Sequence, residues 1–554
     1  MGYHQIPVEQ RGLYHEAEKS QWDEWLKFGS THPLSPEETA EVRRTVDKSR
    51  ILRSRCVHRD KNSSLRTPQR PPPVKAKARL AVAGQNCPDC ASGKIRVDAP
   101  TVQRTSVLVF RQVVADLGWA SPLRSGDVAS AFLQGSRREG VDPIFFEQPR
   151  GRGLPGMKEG CLVKVIKGVF GLPDAQRAWW TEVSGYLTRD AGFHSCKMDP
   201  AFFVWYHDDG RIGAMVILHV DDMLIATGGG NGADLKIDAF MKKYKIGDLI
   251  WAAKADAGIE YTGKTIVVQK NDDGKFKGIK VHQTGFIHGR MDPASISRAR
   301  RAEASAPCTP LETTEFRSMD GSLHWVTGLT RPDGAYATNQ LQKRQSGPCV
   351  EDLKMANKAI TEIKDTADLG IVLRPMSHKM VVVVWTDSAL YNSEGELIEN
   401  DEELAKYDKH KVHSQAGALV GMMNQADLEK TGDLPVSVLD WRSRATKRAV
   451  TSTFAAESAA AADGLGLALF LRALIAEVYH GNALLPTEWD EDVIPTKIVV
   501  DCKSLFDNMC KEASVPDDRW TAIYIAQLRC AVSAGPGRRG DRTEMLWVPS
   551  RCQL

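Results

Sequence analysis

Hydrophobic and polar positions along this chain change period several times, and each change predicts an element. The first 75 residues are polar and broken, with one helix expected over 36–46 behind the capping residue Ser35. Apolar residues at helical spacing predict a helix over 105–117. A strand running into a helix or turn follows over 125–132, a strand over 163–169 and an amphipathic helix over 175–187. Ile212 to Thr227 is an apolar run, two adjacent carboxylates (Asp221 and Asp222), and a second apolar run. It reads as a β-hairpin with an acidic pair on its tight turn. Gly228 to Gly232 breaks the chain, after which 233–244 returns to helix. Strands over 265–270 and 276–282 precede helices over 322–328, continuing beyond Arg331-Pro-Asp333, and over 351–366. From 380 onward the pattern becomes strand, helix, strand: a continuous apolar run Met380 to Trp385 leading to Asp387, an Ala-rich helix over 453–478, and Ile498 to Val500 ending at Asp501. That alternation predicts a separate α/β domain.

Carboxylates at the ends of buried strands are costly unless a cation compensates them. Mg²⁺ is the natural partner, because it takes oxygen ligands from one or two carboxylates and from substrate phosphates. A second acidic strand end, Asp127, lies upstream on a strand expected beside the hairpin. Three carboxylates from two adjacent strands suit a two-metal site for in-line phosphoryl displacement. Asp387, Glu457 in the first turns of the Ala-rich helix, and Asp501 form a similar set, because ligands gather beyond the carboxyl ends of parallel strands.

An ordered series of landmarks surrounds these acids: Asp127-Val-Ala-Ser-Ala-Phe-Leu-Gln-Gly135, Phe146-Glu-Gln-Pro149, Gly168-Val-Phe-Gly-Leu172, Arg177-Ala-Trp179, Asp199-Pro200 and His219-Val-Asp-Asp222. With Lys77-Ala-Arg-Leu80 upstream and Thr330-Arg-Pro-Asp333 downstream, the chain resembles a copia-type LTR retrotransposon Pol polyprotein over about 75–554. The region matched is its reverse transcriptase plus ribonuclease H. The resemblance implies an α/β and α+β multidomain chain: a right-hand (fingers, palm, thumb) polymerase followed by a ribonuclease H-like α/β domain. The domains expected are a polar extension and basic loop over 1–75, fingers and palm over 76–250, a thumb or connection region over 251–378, and a C-terminally truncated ribonuclease H-like domain over 379–554. It further implies that Asp127, Asp221 and Asp222 hold Mg²⁺ (or Mn²⁺) for nucleotidyl transfer, and that Asp387, Glu457 and Asp501 hold it for hydrolysis. Arg79, assisted by Lys75 or Lys77, would meet the nucleotide triphosphate. Phe132 would act as the gate against a ribose 2′-OH, with Val128 and Ala129 beside it. Three departures stand out. His219 replaces an aromatic residue, Asp174 stands where a template- or nucleotide-facing Gln is expected, and the sequence ends short of the segment that supplies a fourth hydrolase carboxylate. Asp541 falls in a segment, Gly535 to Arg542, that reads as loop, and is a poor substitute. A degenerate, inactive nucleic-acid-binding relic is therefore the alternative reading, and a fragment working only within its polyprotein a further one.

Composition adds little. With 42% hydrophobic and 26% charged residues, the chain is of ordinary globular type. No apolar run approaches a membrane span, and no secretory h-region opens the chain. Gly2 is no myristoylation signal, because Ile6 stands where Ser or Thr is needed. Eleven scattered cysteines suit reduced intracellular thiols, so an intracellular (cytoplasmic or nuclear) protein is expected. The net charge of +3 says nothing about partners, but the segment from Lys61 to Arg79 carries six basic residues and no acid. A basic loop of this kind suits a phosphate-rich partner. The partners expected are an RNA or DNA template with its primer and deoxynucleoside triphosphates, with a homo-oligomer or other polyprotein products as protein partners and no membrane. Cys87-Pro-Asp-Cys90 has zinc-knuckle spacing but lacks a second pair and reads as loop. His410 and His413 lack a third ligand, and Trp179-Trp180 reads as core.

Overall fold

The computed structural model describes residues 3–550, apart from 63–71, 377–378, 391–413, 482–493, 512–513, 533–542 and the single positions 152, 248, 429, 431, 433, 447, 449 and 451. The first 75 residues are not a broken extension. They contain a 17-residue helix, α1 (Arg11–Lys27), whose Tyr14, Trp22 and Trp25 are buried. Helix α2 (Pro36–Thr45) follows behind a full capping box between Ser35 and Glu38. Strands β1 (Thr31–Pro33) and β2 (Ile51–Leu52) join β6 (Phe145–Glu147) and β7 (Leu162–Val165) in a four-stranded sheet, with Trp22 and Trp25 beneath it. The basic segment is only partly a loop. Strands β3 (Ser54–Asp60) and β4 (Ala76–Val82) form an antiparallel ribbon in which Val57 faces Arg79. Lys77 and Arg79 thus lie on one face of a strand, whereas Arg66 and Arg70 fall outside the described residues.

The central sheet has six strands in the order β12-β5-β11-β10-β9-β8. These are β5 (Arg124–Asp127), β8 (His194–Ser195), β9 (Phe202–Tyr206), β10 (Ile212–His219), β11 (Asp222–Thr227) and β12 (Ile250–Trp251). The unbroken apolar run of β10 is explained by cover on both faces. Met215 and Ile217 pack on the side of helix α3 (Arg104–Asp116). Ala214, Val216 and Leu218 pack with residues of α4 (Ala175–Gly185) and α5 (Asn231–Lys243).

A second four-stranded sheet joins β13 (Ile259–Tyr261), β14 (Lys264–Lys270), β15 (Phe276–His282) and β16 (Ile371–Leu373). Helices α6 (Pro310–Thr327), α7 (Ala335–Gln342) and α8 (Val350–Asp365) share a core of their own. Helix α6 starts well before the expected 322, because Thr309 and Glu312 form a capping box with Pro310 in the first turn.

The C-terminal part is a five-stranded sheet, β19-β18-β17-β20-β21. It comprises β17 (Met380–Ala389), β18 (Gln415–Asn424), β19 (Ser437–Ala445), β20 (Thr496–Val500) and β21 (Thr543–Trp547). The first three pair antiparallel; β17, β20 and β21 run parallel. Helix α9 (Thr453–His480) lies across it and α10 (Arg519–Ala531) packs beside α9. Contrary to the sequence reading, α9 is long and apolar enough to cross a membrane by length and composition. However, 61% of its most apolar window is buried, as in a core helix.

The two halves share one continuous core. Arg104 pairs with Asp440, which also accepts from Thr105 Oγ1 at 2.7 Å. Asp116 joins the halves as well, accepting from the Met376 amide (2.8 Å), Gln112 (2.7 Å) and the Tyr479 hydroxyl (3.1 Å). Burial pushes the Asp116 carboxyl up to about 6. Its folded value exceeds that of the free side chain, so the folded state binds the proton more tightly and stability falls as pH rises through about 4 to 6. Asp116→Asn should therefore match the wild type below about pH 4 and exceed it by about 3 kcal/mol above about pH 7. Urea unfolding across that range checks this; a pH-independent difference would contradict it.

Candidate active sites

Strand pairing assembles the first acidic group. Asp222 begins β11 directly opposite Asp127 at the end of β5, and opposite His219 at the end of β10. Asp221 occupies the turn between β10 and β11, and its carbonyl accepts the Val128 amide at 2.8 Å. Three carboxylates from two segments thus stand at one sheet end, although their oxygens do not all come within 4.8 Å of one another. Asp127 and Asp221 face solvent, while Asp222 is half-buried. Burial first, then Asp221 and Asp127, push the Asp222 carboxyl up, against the opposing pull of His219 and Lys264.

The turn is held in a demanding conformation. Val220 and Ser130, flanking the acids, have φ of 62° and 52°, a region that non-glycine residues rarely occupy. Their surroundings fix them. The Trp179 indole donates to the Val220 carbonyl at 2.8 Å, while its ring meets Tyr244 edge-on. Ser130 Oγ donates to Glu24 of α1 at 2.7 Å, and Glu24 also pairs with Lys245 at 2.8 Å. Gly247 approaches so closely that a Cβ there would lie 2.7 Å from Asp127 Oδ1. None of Glu24, Lys245 or Gly247 carries a sequence signal, because each acts through a contact with a residue far along the chain.

Lys77, exposed on β4, feels the field of Asp127 and Asp221, although burial and the neighbouring cations Lys61 and Arg79 lower its ammonium. Arg79 sits over Phe170 at 5.1 Å, and Phe170 packs against Phe132 at 5.4 Å. These residues form one ladder beside the acids. Lys75 precedes β4, its amide donating to Asp60 at 3.0 Å. Val128 and Ala129 are tied into the end of the sheet by their backbone. The Val128 side chain is core, and the two amides are given to the Asp221 and Lys245 carbonyls. Asp174 does not face outward either. It is buried and paired with Arg138, close to the Arg50–Asp89 pair (2.8 Å). Cys87 caps a short helix, Pro88–Ala91, that contains Cys90, and the two belong to no metal-holding group among the described residues.

A second acidic group lies in the C-terminal sheet. Trp385 of β17 pairs in parallel with Val499 of β20, so Asp387 and Asp501, each two residues on, stand level. Helix α9, capped by Ser452, brings Glu457 over this edge. Ligand atoms of Asp387, Glu457 and Asp501 lie within 4.8 Å of one another. Glu457 Oε1 accepts the Ser388 amide at 3.1 Å, but its buried Oε2 has no hydrogen-bond partner among the described residues. Burial, then Asp387 and Asp501, push the Glu457 carboxyl up to about 8. Both acidic groups thus concentrate negative charge that lacks compensation within the group, and oxygen-only donor sets of this kind fit Mg²⁺. Asp541 falls outside the described residues, as do His410 and His413.

The reverse transcriptase (RNA-dependent DNA polymerase) family matches residues 38–285, which contain the whole first acidic group. That segment is similar to the reverse transcriptase domain of copia-type retrotransposons. The chain is 25% identical over 287 residues to the Retrovirus-related Pol polyprotein from transposon RE1 of Arabidopsis thaliana. It is 26% identical over 297 residues to that from transposon RE2 of the same plant. Each match covers 50% of this chain but only 18% of the relative. An uncharacterized mitochondrial protein of the same plant, AtMg00810, is 27% identical over 126 residues, or 20% of this chain and 52% of that one. Among solved structures, the foamy viral protease-reverse transcriptase dRH in complex with double-stranded DNA aligns with 98% of this chain and 71% of its own. The TM-score is 0.49 and the identity 10%. The matched segment includes the ribbon β3–β4 and the central sheet, and ends just beyond β15.

Proposed function

We propose that this chain is an RNA-directed DNA polymerase with an attached ribonuclease H-like hydrolase, both dependent on divalent metal. The observation that carries the first part is the pairing of Asp127 with Asp222 across β5 and β11, with Asp221 on the adjoining turn. Asp127 and Asp221 would hold the cations, with Asp222 accompanying them. Two Mg²⁺ ions, or Mn²⁺ in their place, supply when bound the positive charge that steadies the attacking and leaving oxygens. The chain itself contributes placement. The Trp179–Val220 and Ser130–Glu24 contacts fix the acidic turn, and Lys77 with Arg79 offers cations on the same side for a triphosphate. Phe132, which packs against Phe170, would select against a ribose 2′-OH. The bond formed joins the primer 3′-oxygen to the α-phosphorus; the bond broken releases pyrophosphate.

For the second part, Asp387, Glu457 and Asp501 would hold metal for hydrolysis of the RNA strand of a hybrid. The orphaned Glu457 Oε2 is the donor that supports this. A shallow cavity of about 350 Å³ adjoins Asp387 and is lined by Tyr336, Trp385 and Arg442, residues suited to a nucleic-acid backbone and its sugars. The reading is tested by Mg²⁺-dependent extension of a DNA primer on an RNA template, followed by degradation of the template. Binding of the template without extension in either Mg²⁺ or Mn²⁺ would instead favour the inactive relic.

Gly247→Ala gives a finer check. The added methyl must displace the Asp127 carboxylate, while the backbone at 247 needs no positive φ. Extension should slow by about 10–100-fold with the melting temperature nearly unchanged, because small misplacements of a reacting group are that costly. Steady-state kinetics beside a thermal melt would show it; an unaltered rate would remove Asp127 from the reaction.

A further inference from the structure

One other set of metal-binding side chains converges among the described residues, and it contains a thiol. His194 lies on the edge strand β8, Cys196 just beyond it, and Glu477 in the last turn of α9. Their ligand atoms lie within 4.8 Å of one another, with His194 Nε2 and Glu477 Oε1 at 3.2 Å. Glu477 is fully buried and Cys196 nearly so, whereas His194 is partly open to solvent. The Lys197 and Met198 amides donate to Oε1 and Oε2 of Glu477 at 2.5 and 3.0 Å, which aims the carboxylate at this spot. Oε2 keeps a second lone pair, and Oε1 turns its second toward His194. No Lys or Arg pairs with Glu477 among the described residues; its ion-pair partner is His194. A fully buried carboxylate normally has a cation or a metal to answer it.

We propose that His194, Cys196 and Glu477 bind one Zn²⁺, with water completing the tetrahedron on the open His194 side. Imidazole, thiolate and carboxylate form a mixed donor set that suits zinc and not magnesium. A thiolate and a carboxylate neutralise the ion. Tetrahedral bonds of about 2.0–2.3 Å separate donors by roughly 3.3–3.8 Å, within a small side-chain adjustment of the arrangement present. The ion staples the edge of the reverse transcriptase sheet to α9. Glu457 of the second acidic group stands 20 residues back on the same helix, about 30 Å away. Zinc would thereby fix the position of that helix against the polymerase half.

Cobalt titration of the full chain tests this, because a thiolate on tetrahedral Co²⁺ produces charge-transfer and visible d–d bands. One equivalent should produce both, and Zn²⁺ should displace them. Cys196→Ser should abolish the charge-transfer band, and His194→Ala should weaken cobalt binding by at least about tenfold. Cys87→Ser/Cys90→Ser should leave the spectrum intact. Absence of the band in the wild type, its persistence in Cys196→Ser, or its loss in the Cys87/Cys90 variant would each overturn the site. Should Cys196→Ser fail to fold, His194→Ala decides at its partly exposed position: unchanged cobalt affinity would overturn the proposal.

Discussion

Asp221→Asn should give a folded protein that still grips a primed RNA template but extends it about 10³-fold more slowly than the wild type. The substitution removes one negative charge and keeps the shape. Asp221 is exposed at its turn, and its backbone carbonyl, not its carboxylate, receives the Val128 amide, so the turn survives. Loss of a neighbouring charge also relieves Asp222, whose carboxyl is pushed up in part by Asp221. Melting temperature should therefore hold or rise while activity falls. Single-turnover extension with matched template-binding curves distinguishes these effects. Extension within tenfold of the wild type would place the chemistry elsewhere.

Asp387→Asn should produce the complementary defect. Degradation of the RNA strand in a labelled hybrid should fall by about 10³-fold, with primer extension unchanged. Burial, and after it Asp387 and Asp501, hold the Glu457 carboxyl near 8, so removing one of those charges lowers that value and costs no stability. The variant also leaves the Ser388 amide on Glu457, which keeps α9 seated on β17. Measured together, Asp221→Asn and Asp387→Asn should separate the two activities. If either variant removed both, the two acidic groups would not be independent sites. If Asp387→Asn degraded the hybrid at the wild-type rate, the second group would be a structural cluster.

Much of this arrangement was legible in local pattern. The hairpin around Asp221 and Asp222, the strand leading to Asp387 and the helix bearing Glu457 each follow from apolar periodicity. Helix α1 was not legible. Its buried face is only Tyr14, Trp22 and Trp25 within an otherwise polar segment, and three large aromatics do the work of a longer apolar stripe. Strands β18, β19 and β21 do not show in the pattern, since Gly417 and Gly421 interrupt β18, Asp440, Arg442 and Arg444 interrupt β19, and β21 is a short run. Asp174 reads in the sequence as a flaw at an expected Gln, but Arg138 answers it inside the fold.

By itself the sequence determined which residues carry charge at strand ends and which family pattern they belong to, because period and motif are properties of neighbours along the chain. Only the tertiary structure decided that Asp127 stands across from Asp222 and that Trp179, Glu24 and Gly247 constrain the acidic turn. It likewise decided that the Val128 and Ala129 amides are already spent, and that His194, Cys196 and Glu477 converge. These are contacts between segments distant along the chain. Their energies depend on distance and burial in three dimensions, which no local periodicity encodes.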